Sequence, residues 1–125
     1  MQYMILIFGE DGVFERLPEA EQKAHLAKHT DLQEELAAKG QYVHAARLMG
    51  PETAVTVSQR GDSVLVTDGP FAETKEQVLG YYLIEADDIE TAIEAARKLP
   101  QRIAHMEVRP VMWGSSQAHP RDGGR

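Results

Sequence analysis

The run QYMILIF, residues 2–8, constrains the fold of this chain more than any other stretch. A strand with one wet face alternates apolar and polar residues. This one is apolar nearly throughout, the pattern of a strand covered on both sides. It is far too short to span a bilayer, and no basic n-region or small-residue cleavage site goes with it. It reads as a core strand in a chain expected in the cytoplasm, so cover is needed on each face of that strand.

The other elements supply one cover. LPEAEQKAHLAKHTDLQEELAAKG (17–40) predicts a helix over about 18–39, with Pro18 at its first position, acids in its first turn and Gly40 as a left-handed stop. Leu26, Leu32 and Leu36 form its apolar stripe, and His29 falls at helical spacing on that stripe. YVHAARLM (42–49) predicts a strand closed by Gly50-Pro51, and TAVTVSQ and DSVLVT a hairpin around Arg60-Gly61. GYYLIEA (80–86) is a further strand. DDIETAIEAARKLP predicts a helix over about 88–99, capped by Asp87 or Asp88, that buries Ile89, Ala92, Ile93, Ala96 and Leu99. MEVRPVM (106–112) is the last strand, and Pro110 assigns it to an edge.

This order is the split βαβ of a ferredoxin-like α+β domain with an inserted β-hairpin: an antiparallel sheet with two helices on one face. The second cover for strand 1 must then come from elsewhere, most economically from a copy of the same face, so a homodimer through the sheet is expected. At 125 residues the chain is one domain, placed at 1–113, followed by GSSQAHPRDGGR, a tail expected to be disordered over 114–125.

A net charge of −7 argues against a nucleic-acid surface, and the absence of cysteine removes disulfides, thiolate metal sites and cysteine nucleophiles. No phosphate loop or nucleophile elbow is present, so no cofactor is assigned. His25 and His29 stand four apart on one helix face, the spacing of a two-imidazole metal pair, but no third ligand is marked and no metal is assigned. A core histidine hydrogen-bonded to backbone is the plainer account of His29.

TDGPFAETKE, residues 67–76, is longer than a strand connection needs. Asp68 can cap the Gly-Pro turn, but that does not explain Glu73, Thr74 and Lys75, which make a polar loop of both signs. Lys75 could attract an anionic group or simply aid solubility. Phe71 could plug the core or touch a ligand.

The stretch TDGPFAETKEQVLGYYLIEADDIETAIEAARKLP, followed by MEVRPV, resembles the DGPF branch of the YCII-related domain family. The resemblance covers Tyr3 to about Val111. It implies a ferredoxin-like fold that dimerises through its sheets as a dimeric α/β barrel. It further implies a catalytic pair, a histidine on the first helix and an aspartate after the central strands, which fall on His29 and Asp68. Two readings follow. One is a small-molecule enzyme using His29 and Asp68 for proton transfer in a cleft under the 67–76 loop, whose Phe71, Glu73, Thr74 and Lys75 contact the ligand. The other is a non-catalytic dimeric module that binds a metabolite or a regulatory partner, since some DGPF genes lie near sigma-factor genes.

Overall fold

The computed structural model describes residues 1–114, so the expected tail from Ser115 onward lies outside the described residues. The elements run β1 (Gln2–Glu10), a 3-10 turn (Phe14–Arg16), α1 (Glu19–Ala38), β2 (Tyr42–Arg47), a second 3-10 turn (Pro51–Thr53), β3 (Val55–Arg60), β4 (Ser63–Asp68), β5 (Glu76–Glu85), α2 (Ile89–Arg97) and β6 (Ala104–Pro110). Four strands form one sheet in the order β2-β5-β1-β6, and every neighbouring pair is antiparallel. With β3 and β4 set aside, this is the ferredoxin-like topology expected from the sequence. β3 and β4 pair with each other alone, as a two-stranded ribbon turned at Gly61-Asp62, where Gly61 takes φ 60.

Register decides which side chains face the helices. Tyr3 and Ile5 of β1 stand opposite Ile84 and Tyr82 of β5, and all four are buried. Against them pack Leu32 and Leu36 of α1 and Ala92, Ala95, Ala96 and Leu99 around α2. Each buried leucine contributes about 1.5–3 kcal/mol of transfer free energy. Because side chains alternate along a strand, Met4, Leu6 and Phe8 of β1 and Tyr81 and Leu83 of β5 point to the opposite, helix-free face. They are only half-buried there. Strand 1 is apolar on both faces, as its sequence requires, and one chain covers one of them.

Several expectations are refined. Pro18 precedes the helix rather than opening it, and Gly40 does take a left-handed φ of 69. Asp88, not Asp87, caps α2, accepting from Thr91 N at 2.9 Å. Ile89 and Ile93 are 37% exposed, because α2 presents its alanine face to the sheet: small side chains let the helix sit close, and the isoleucines are left on the flank. Leu26 is 50% exposed, because the first half of α1 stands over a gap in the core. The decapeptide is less of a loop than it reads. Thr67 and Asp68 belong to β4 and Glu76 to β5, which begins four residues earlier than GYYLIEA; the true connection is 69–75.

Candidate functional site

The gap under α1 arises from side-chain size. At one end of the helix-facing sheet surface, Tyr3, Ile5, Tyr82 and Ile84 fill the space below Leu32 and Leu36. At the other end, that surface is built from Gly80, Ala45, Ala104 and Ile7, too little volume to reach the helix. Gly80 cannot be larger: a Cβ there would run into the backbone of β2, at the carbonyl of Ala46 and 3.2 Å from the Cα of Arg47. The result is a cavity of about 310 Å³ between α1 and the sheet. That is at the small end of the range for small-molecule pockets. His25, Leu26, His29 and Gln33 roof it, Phe14 of the first 3-10 turn closes one side, and Tyr42 and Arg47 of β2 lie at another.

The polar groups inside are connected. His29 Nδ1 lies 2.9 Å from the Tyr82 hydroxyl, and Gln33 Nε2 donates to the same hydroxyl at 3.0 Å. His29 and Gln33 meet Tyr82 together because they are one helical turn apart. Having accepted from Gln33, the hydroxyl has one proton to give, and the 2.9 Å contact to Nδ1 is better than the 3.5 Å contact to the His29 carbonyl. This assigns the His29 proton to Nε2, which presents an N–H donor. Nε2 has no partner among the described residues, yet no buried polar side-chain atom is left unpaired, so this nitrogen is open to solvent. His29 is thus not a sealed core histidine.

An aromatic row runs from the pocket mouth inward. Phe14 meets His25 edge-on at 5.1 Å, His25 lies 5.3 Å from His29, and His29 stacks on Tyr82 at 5.9 Å. The Arg47 guanidinium sits 5.0 Å over the Phe14 ring and pairs with Glu15 at 2.5 Å. Burial, then His25 and Arg47, lower the His29 pKa from 6.5 to about 4. Burial, Arg47 and Lys28 lower that of His25. Burial raises the Tyr82 pKa. His29 and Tyr82 are therefore both neutral near pH 7. Among the described residues no group of three potential metal ligands assembles, and the His25–His29 pair has no third donor.

The residues expected from the decapeptide lie elsewhere. Asp68 ends β4 opposite Val55, at the root of the ribbon, where Gly69 N donates to Ala54 O and Thr56 Oγ1 to Gly69 O. No hydrogen bond joins Asp68 to His29 within the described residues, and Asp68 is not among the pocket's lining residues. Phe71 is 88% exposed, so in the single chain it is not a core plug. Thr74 Oγ1 donates to Glu76 O, while Gln77 Nε2 ties the loop to the carbonyls of Ala72 and Thr74. Glu73 and Lys75 point outward and form no ion pair among the described residues. Sequence reasoning found His29 but missed Tyr82, Gln33 and Arg47. The signals were there: Gln33 is four residues from His29, and Tyr82 shares inward strand parity with Ile84.

The YCII-related domain model matches residues 1–113. The chain belongs to the YCII-related family. It is also 32% identical over 114 residues to an uncharacterized protein of Rhizobium meliloti (strain 1021), an alignment covering 89% of this chain and 92% of that one. The ferredoxin-like architecture implied by the decapeptide resemblance thus agrees with the family, whereas the similar relative brings no activity with it. Among the described residues no helix is long and apolar enough to cross a membrane.

Proposed function

We propose that this YCII-family protein holds a small organic molecule in the pocket between α1 and the sheet, with His29 as a neutral hydrogen-bond donor to a ligand oxygen. The observation that carries this is the 2.9 Å contact between Nδ1 and the Tyr82 hydroxyl, which leaves Nε2–H as the free donor in a largely apolar cavity. A neutral imidazole held in one tautomer is suited to polarising a carbonyl oxygen without bringing a charge into the pocket. The test is mass spectrometry of small molecules that co-purify with the native protein and with His29→Phe, whose ring fills the space. A compound retained by the first and lost from the second supports the reading; equal recovery from both refutes it.

A catalytic reading is favoured by one feature, the Gln33–Tyr82–His29 chain, which fixes the orientation and tautomer of the imidazole as an acid–base group requires. In that reading Asp68 acts as the second acid–base group, and the root of the ribbon must close over the pocket to bring it to His29. The lowered His29 pKa weighs against a resting general base, because a base of that strength is poorly matched to neutral pH.

We further propose a homodimer through the helix-free sheet face. Its support is the apolar set Met4, Leu6, Phe8 and Leu83 on that face, together with the ribbon valines, of which Val57 is 66% and Val66 64% exposed. A lone two-stranded ribbon is marginal in water, and a second copy would cover both surfaces at once.

A further inference from the structure

We propose that the ligand of this pocket is a small organic carboxylate whose head group binds Arg47 in place of Glu15. This rests on the pocket reading above and names the class of molecule that would fill it.

The argument begins with the charges. Among the described residues, Arg47 is the single one lining the cavity that carries a formal charge near neutral pH, and no carboxylate among them lines it. The rest is apolar or neutral, in a chain whose net charge is −7. One cation facing an apolar cavity in an otherwise acidic protein is a selective feature: a neutral ligand gains nothing from it and a cationic one is repelled. Its placement follows from register. Arg47 stands opposite Gly80, on the helix-facing side of β2, so the stem starts from the pocket floor and the guanidinium emerges at the mouth over Phe14.

The cation is occupied, but weakly. Arg47 Nη2 holds Glu15 Oε2 at 2.5 Å, and the side chains of both residues remain about 60% exposed. An exposed pair of this kind is worth about 0–1 kcal/mol. The other guanidinium nitrogens make no hydrogen bond within the described residues, so a planar carboxylate can engage two donors where Glu15 engages one. Glu15 sits on the short 3-10 turn whose Phe14 walls the pocket. Phe14 and Glu15 of this one turn therefore supply the wall, the internal competitor and, through the cation over the ring, the orientation of Arg47. His29 Nε2–H supplies a further donor deeper in the cavity. A ligand with a carboxylate at one end, a compact apolar body and an acceptor oxygen at the other end fits this arrangement.

The experiment titrates the full chain with benzoate and with benzamide, an uncharged molecule of nearly the same shape, following the His29 and Tyr82 ring signals by NMR. It is repeated with Arg47→Met, which keeps an apolar stem, and Glu15→Gln, which keeps the shape. The proposal expects benzoate to bind at least about 10-fold more tightly than benzamide, a preference erased in Arg47→Met. It expects Glu15→Gln to tighten benzoate by about 2- to 5-fold and leave benzamide unchanged. If both probes shift the ring signals equally, the carboxylate inference is overturned while the pocket reading stands. If neither probe moves them at any concentration, both fail. Either variant unfolding would show in its amide spectrum, and the other then decides the matter.

Discussion

Lowering the pH forces a proton onto His29, and the structure sets the size of the response. In the unfolded chain the imidazole titrates near 6.5; in the fold its pKa falls to about 4. The folded value is the lower one, so between these two values the unfolded state binds more protons and stability falls as pH falls. Above about 6.5 the contribution is complete, and below about 4 it has been lost. Each unit of difference corresponds to about 1.4 kcal/mol. The ring reaches solvent through Nε2, and screening reduces this, so we expect a loss on the order of 1–2 kcal/mol from His29 across the window. The groups around it are His25, Arg47 and Lys28, all positive or becoming so as pH falls, and the neutral Tyr82 and Gln33, while the carboxylate at the mouth, Glu15, is paired with Arg47. The assay is urea denaturation from about pH 7 to 4, comparing the native protein with His29→Gln, since other groups titrate equally in both. The native protein should lose about 1–2 kcal/mol more than the variant. Parallel stability curves would refute the buried, neutral imidazole on which the site rests.

Tyr82→Phe removes the hydroxyl that joins His29 to Gln33 and should cost about 1–3 kcal/mol in denaturant unfolding, with the His29 ring signal shifting as its tautomer is released. Asp68→Asn should leave the His29 titration unchanged, because Tyr82 is its hydrogen-bond partner; an altered imidazole pKa by NMR would instead support a His29–Asp68 pair. Light scattering at micromolar concentration should give twice the 13.9 kDa chain mass, and Leu6→Lys on the open face should shift it towards one chain. Gly80→Ala should destabilise by about 1–3 kcal/mol and weaken ligand binding, because the added methyl runs into the backbone of β2 at Ala46 and displaces Arg47.

The periodic elements were legible in the sequence because their signals are local. The unbroken apolar run of β1 demanded cover on two faces, Gly40 could end α1 only by its left-handed φ, and the β-α-β-(ββ)-β-α-β order left the ferredoxin-like sheet as the economical arrangement. Pro110 marked an edge strand, and β6 is one. His29 could be singled out as a polar residue on an apolar stripe, but its partner could not. The decapeptide drew attention to Asp68, the nearest carboxylate by motif, whereas register turned Tyr82 toward the helix and placed its hydroxyl under His29 and Gln33 from 53 and 49 residues away. A strand's inward parity is visible in sequence, but which helix turn it meets depends on how the layers pack. The pocket is likewise a tertiary product: Gly80 and Ala45 are unremarked small residues along the chain, and they become a cavity floor only when the pairing of β2 with β5 sets them on one face beneath the first half of α1. Arg47 acquired its place by the same pairing, opposite a glycine that had no side chain to exclude it.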